Sequence, residues 1–333
     1  MGMADTVTKE YIRSNEVFAD AFNYLIYDGE QVVKPALLQE LDTTEIAIPF
    51  ALGENENQTE DVVQKYRDVL KSAVIMQDSR ASYILLGVEN QTEIHYAMPV
   101  RNIIYDALQY GKQVSEVAKR HKSKGDRKGH NKGEYLSGFY KEDRIRPVIT
   151  LVVHFGADEW DGPLSLYEMM DLEDKKLLEF VQDYRIFLID PYKLANNDLE
   201  KFSTSLGDVL GYIKYSKDKK ALSKFLNDNQ VMIMDNDAAR VIRDVTNTPI
   251  YVPDGKGEID MCKAVRDMIE ESKQEGIAAG KAEGRAEGMA AGELNKAKKM
   301  ALKMYQKGDS IEKIAEMAEF SVDQVKEWIN SAV

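Results

Sequence analysis

The chain predicts an α/β protein with a helical tail, and three features of the sequence carry that reading. Dense apolar runs at 83–88 and 147–155 have the length and continuity of strands covered on both faces. Between and around them, apolar residues recur at helical spacing, as in Phe18, Phe22, Leu25 and Ile26 or in Val100, Ile103, Ile104 and Leu108. After residue 270 the pattern changes to a glycine-punctuated, charged segment with no strand character.

Taken in order, residues 15–27 read as a helix stopped by Asp28-Gly29, with Asp20 and Asn23 off its apolar face. Pro35 opens a short helix in the connection that follows, and 46–50 is a short first strand. The polar stretch 53–61 offers nothing to bury and reads as a loop. Residues 66–75, a turn at 76–80 and the run ending at Gln91 spell an antiparallel hairpin. A helix over 97–117 then packs on the sheet. The run 119–132 carries seven Lys or Arg against one acid, Asp126, and reads as a basic flexible loop. A second buried strand spans 146–155, ended by Gly156, and His154 within it reads as structural. Residues 166–172 form a short helix, 185–191 a further strand, and 199–225 and 237–246 are helical.

The tail differs in kind. Glycines at 276, 280, 284, 288 and 292 repeat every four residues, so they drift around a helix by about 40° per step. Each costs about 1 kcal/mol against alanine, so the segment either packs through its glycine stripe or is a semi-flexible tether. Two short amphipathic helices follow, broken at 319–321. The second offers Asp323, Gln324, Lys326 and Glu327, a poor surface for base edges, and self-association is the expected use.

Composition narrows the functional classes. A formal charge of −13 excludes a generally basic nucleic-acid coat, so any such contact must be local. The single cysteine, Cys262, excludes an intramolecular disulfide framework, and no Cys/His cluster has zinc-ligand spacing. No apolar run has the length needed to cross a bilayer, and the start lacks the features of a secretory signal. The expectation is a soluble cytoplasmic protein with no membrane partner.

The chemistry concentrates where the 83–88 run breaks into Glu89-Asn90-Gln91. Residues two apart on a strand leave the same face, so Glu89 and Gln91 project together. The hairpin brings Asp68, near the end of its first arm, opposite the Glu89 end of the second. A carboxylate at the end of a buried strand needs compensation, and a metal ion is one source of it.

Asp68, then Glu89, Asn90 and Gln91, then an amphipathic helix is an order that resembles the PD-(D/E)XK nuclease superfamily. Within it the chain resembles the recombination-promoting nuclease and putative transposase family (Rpn, YhgA-like), through YRDVLK, LLGVENQTEIHYAMPVRNIIYDAL, RPVITLVVHFG, WDGPLSLYEM and FLIDPYKL. The resemblance spans most of 14–240. It implies a restriction-endonuclease-like core with a central mixed sheet flanked by helices. The expected organisation is a core over 1–156, a mostly helical extension over 157–270, a glycine-repeat linker over 271–298 and a helical hairpin over 299–333.

The resemblance also implies a Mg²⁺-dependent deoxyribonuclease linked to recombination or to defence against mobile elements and phage. Asp68, Glu89 and Gln91 are the implied catalytic residues. Asp68, Glu89 and the Asn90 backbone carbonyl hold Mg²⁺, with Mn²⁺ or Ca²⁺ as alternatives. An acid of the 15–27 helix, Asp20 or Glu16, completes the set, and the sequence leaves open which. DNA is the expected partner, met by Arg101, Lys119, Arg120, Lys122, Lys124, Arg127, Lys128 and Lys132, and a homo-oligomer is expected through the tail. Two departures stand out. No proline precedes Asp68, and Gln91 replaces the motif lysine, so it orients water but supplies no charge. The alternative is a non-catalytic DNA-binding or assembly protein on a nuclease scaffold.

Overall fold

In the computed structural model, the described residues are 2–41, 44–46, 64–66, 68–77, 80–124, 131–172 and 174–331. The chain divides into two compact units, Met1–Ala264 and Val265–Val333.

The first unit opens with helices α1 (Met3–Arg13) and α2 (Asn15–Tyr27). Strands β1 (Gln39–Glu40), β2 (Thr44–Ile46) and β3 (Gln64–Tyr66) are short, and the long hairpin β4 (Val69–Gln77) and β5 (Arg80–Gln91) follows. Helix α3 (Met98–Lys124), the short α4 (Lys132–Ser137) and β6 (Val148–His154) come next, then β7 (Phe187–Ile189). The remainder is α5 (Asn196–Leu199), α6 (Leu206–Tyr215), α7 (Lys219–Asn229), β8 (Ile233–Asp235), α8 (Asn236–Thr246) and β9 (Glu258–Asp260).

A five-stranded mixed sheet runs in the order β1-β4-β5-β6-β7. The β4–β5 hairpin is antiparallel, with Val69 opposite Val88 and Gln77 opposite Arg80. Strand β6 pairs parallel with β5, from Leu85 opposite Val148 to Gln91 opposite His154, and α3 is the crossover between them. A parallel pair with helices on both faces accounts for the unbroken apolar runs: Leu86, Val88, Leu151, Val152 and Val153 are all buried. Each such side chain contributes on the order of 1.5–3 kcal/mol through burial.

Alternation along β5 sorts the two faces. Asn90 bonds to Thr8 of α1, so that face is covered by α1 and α2; Glu89 pairs with Arg101 of α3, which covers the other. Lys71 of β4 lies on the α1–α2 side and is 1 % exposed. Its ammonium donates to the Arg13 carbonyl and to Asn15 Oδ1, both at 2.5 Å, stapling the corner between the two helices to the sheet. On the other face, Asp106 of α3 accepts from Thr150 Oγ1 at 2.6 Å and from the Tyr184 hydroxyl at 2.7 Å, fixing α3 over β6.

Several expectations change. The basic run is not a loop up to Lys124, because α3 continues through it and α4 resumes at Lys132. Lys and Arg are good helix formers, and His121 anchors the extension by stacking on Tyr140 at 3.7 Å and pairing with Asp143 at 2.8 Å. Arg127 and Lys128 lie outside the described residues, as does 47–50 of the first strand. Asp20 and Asn23 are buried rather than off the apolar face, since each finds polar partners inside: Asn23 accepts from the backbone N–H groups of Val32 and Val33. Helix α1 has no counterpart in the sequence reading. The segment at 166–172 is a single 3₁₀ turn, Tyr167–Met169.

Helix α9 (Met261–Gln306) runs for 46 residues, and α10 (Ile311–Ala318) and α11 (Val322–Asn330) fold back on its end. In the second unit Ala301 of α9 packs with Ile314, Ala315, Val325, Trp328 and Ile329. A Cβ built on any of the five repeat glycines meets no atom within 4 Å. No helix among the described residues is long and apolar enough to cross a membrane.

Candidate active site

The site forms at the end of β5, where the antiparallel and parallel pairings meet. One position beyond Val69, Asp68 stands at the β5 end that carries Glu89, as the hairpin register requires. Its Oδ2 accepts the Asn90 backbone N–H at 3.0 Å, which fixes the first carboxylate to the strand bearing the second. Asn90 itself points to the other face, where its amide donates to Thr8 Oγ1 at 2.7 Å.

Glu89 is fully buried, and Arg101 Nη2 lies 3.0 Å from its Oε2. A buried carboxylate is costly unless paired, and α3 brings the pairing cation as it crosses the sheet. Burial works against the Arg101 charge, but Glu89, Tyr105 and Asp68 outweigh it and hold the guanidinium above its usual range. Arg101 Nε donates to the Tyr105 hydroxyl at 3.2 Å. Burial first, and the Glu89 charge next, push the Tyr105 phenol up to about 12. Asp68 acts on both groups, so the two carboxylates share one electrostatic cluster.

A second cation enters from α1: Lys9 Nζ is 3.2 Å from Asp68 Oδ1. Lys9 has no motif around it in sequence and lies 59 positions before Asp68, so only the packing of α1 on β4 and β5 brings the two together.

Gln91 turns its side-chain amide onto the Asn90 carbonyl, Nε2 to O at 2.8 Å. A carbonyl only accepts, so the NH₂ faces it and Oε1 is the acceptor left for a water. Beside Gln91 on β6, His154 donates from Nε2 to the Asp158 carbonyl at 2.8 Å and its ring stands edge-on to Trp160, a structural placement.

The helix acids do not join this cluster through any bond among the described residues. Asp20 is saturated: it accepts from the backbone N–H and hydroxyl of both Ser203 and Thr204, at 2.7–3.0 Å. Glu16 is exposed and accepts from Ser14 Oγ at 3.2 Å. No group of three or more His, Cys, Asp or Glu side chains gathers among the described residues. The donor set at the strand end is therefore two carboxylates and one backbone carbonyl. Such hard oxygen donors suit Mg²⁺, which is commonly held by one or two carboxylates and keeps several of its waters.

Of the basic residues, Arg101 is committed to Glu89. Lys119, Arg120 and Lys122 are exposed on the last turns of α3, Lys124 ends that helix, and Lys132 is exposed at the start of α4.

A family model described as putative transposase, YhgA-like, matches residues 49–238, more than half of the chain. No curated protein and no solved structure matches. The matched range contains Asp68, Glu89, Gln91 and Arg101, whereas Lys9 and the second unit fall outside it. By that match the chain belongs to the YhgA-like putative transposase family.

Proposed function

We propose that the protein is a metal-dependent endonuclease that hydrolyses phosphodiester bonds in DNA. The observation that supports this most is the bond from the Asn90 N–H to Asp68, which fixes a second carboxylate at the strand end where Glu89 is buried. Asp68, Glu89 and the Asn90 carbonyl are the residues to hold Mg²⁺. When bound, the ion lowers the pKa of a coordinated water and neutralises charge on the phosphate under attack.

The rest of the work falls to the chain's own groups. Gln91 Oε1 accepts from the attacking water and orients it, while its NH₂ stays anchored on the Asn90 carbonyl. Arg101 sets a positive charge against the buried Glu89. Lys9 supplies positive charge at the strand end, where Gln91 has none to offer. Developing negative charge on the phosphate is stabilised by such a pre-positioned cation. The basic end of α3 gives sequence-independent phosphate contacts.

Plasmid cleavage with Mg²⁺ tests the reading. Wild type is expected to cut and Glu89→Gln to cut on the order of a thousandfold more slowly, a loss of several kcal/mol of transition-state stabilisation. Equal cutting by the two proteins would refute it.

A non-catalytic DNA-binding role has support of its own, since cations already meet both carboxylates and the Gln91 amide folds onto the carbonyl expected to face the metal. A calorimetric Mn²⁺ titration separates the two readings: a saturable site lost in Asp68→Ala supports the nuclease, and no saturable site supports the second.

A further inference from the structure

The second unit carries a charge pattern that the catalytic reading does not use. Lys281, Arg285, Lys296, Lys299, Lys303 and Lys307 are all exposed, and all but Lys307, one residue past its end, lie on α9. At 100° per residue the six fall within an arc of about 80°, over a rise of about 39 Å. The acids of the same stretch, Glu283, Glu287 and Glu293, fall outside that arc. Leu294, Ala297 and Ala301, which pack against α10 and α11, point the opposite way. The helix hairpin therefore covers one side of α9 and leaves the basic side open.

Two further facts point to a ligand. None of the six cations has an acidic partner among the described residues, whereas the neighbouring Lys273 and Lys313 pair with Glu270 and Asp309. Like charges left unpaired on one line repel, and a polyanion relieves that cost. Lys296, Lys299, Lys303 and Lys307 also line one shallow groove of about 630 Å³ with Gly292, Asn295, Met300 and Met304, and a Cβ at that glycine would meet no atom of the described residues within 4 Å. At Gly292 the backbone is uncovered, so a phosphate chain can approach it closely.

We infer that this face of α9 binds the phosphate backbone of duplex DNA, independently of base sequence. A protein partner fits less well, because such interfaces centre on aromatic anchors and this arc has none, its one exposed large apolar side chain being Met289. An anionic membrane fits less well too, since a surface helix inserts the apolar face opposite its cations, and on α9 that face is covered by α10 and α11. The inference stands apart from the nuclease reading, because binding without metal needs neither Asp68 nor Glu89.

The test uses the full-length protein in EDTA, with a fluorescent 30-base-pair duplex titrated at several KCl concentrations. Replacing Lys296, Lys299, Lys303 and Lys307 by Ala, a good helix former, is expected to weaken binding by about tenfold or more for every duplex sequence alike. The slope of log affinity against log salt should fall by up to about 3.6, at about 0.9 per phosphate released. The four-Arg variant keeps the charge and should bind as wild type. Circular dichroism checks that the Ala variant is folded, and a four-Gln variant replaces it if it is not. Unchanged affinity and slope, a loss confined to one DNA sequence, or wild-type binding to phosphatidylserine vesicles but not to DNA would each overturn the inference.

Discussion

Lys9 Nζ stands 3.2 Å from Asp68 Oδ1, so a helix near the start of the chain delivers a cation to the carboxylate at the mouth of the β4–β5 hairpin. The superfamily motif resembled here places its lysine two residues after the acid, and this chain has Gln91 there. The cation is present at the same strand end by a different route.

If Lys9 supplies the charge that Gln91 lacks, Lys9→Ala should lower kcat about a hundredfold with little change in Mn²⁺ affinity. Adding Gln91→Lys in the Lys9→Ala background should recover part of that loss. A double variant no faster than Lys9→Ala in single-turnover cleavage would argue against the exchange.

Arg101, half-buried, is the cation paired with buried Glu89, and removing it takes that charge away from a fully buried carboxylate. Arg101→Ala should cost about 3 kcal/mol in a urea melt run in EDTA. Mg²⁺ bound at Glu89 would replace the missing charge, so added Mg²⁺ should stabilise this variant more than wild type. Equal shifts in the two proteins would place the metal away from Glu89.

Asp20 holds four donors of Ser203 and Thr204, ahead of the N-terminus of α6. Asp20→Ala should therefore destabilise the fold by about 1.5–3 kcal/mol, since it removes the buried carboxylate that accepts these charge-assisted bonds. Activity per folded molecule should stay near wild type. A folded variant with normal stability and lost cleavage would instead return Asp20 to the site.

The Tyr105 phenol is held up to about 12 by burial and by Glu89, against about 10 in an unfolded chain. The unfolded state loses this proton first, so the associated stability is complete below about pH 10 and is lost as pH rises toward 12. The amount is on the order of 2 kcal/mol. Tyr105→Phe should flatten the fall in melting temperature over that window, and an unchanged fall would contradict the assignment.

The sequence by itself determined the hairpin, the two central strands, the helix that crosses between them and the juxtaposition of Asp68 with Glu89. Those features rest on local periodicity and on a hairpin register fixed by a short turn, so neighbouring residues are enough to specify them. The four-residue glycine period was equally legible, although a repeat says nothing about whether anything packs on it, and among the described residues no atom comes within 4 Å of a Cβ built there.

The partners of the two carboxylates were decided only by tertiary structure. Lys9 reads as an ordinary surface residue by pattern and Arg101 as a DNA contact, and both meet the candidate carboxylates because α1 and α3 pack on opposite faces of one sheet and meet at the end of β5. Asp20, which with Glu16 the family resemblance offered for the site, is instead bonded to the turn at Ser203–Thr204, more than 180 positions away. Charge pairing across such separations follows from which helix faces are buried against each other, and no local window of sequence contains that information.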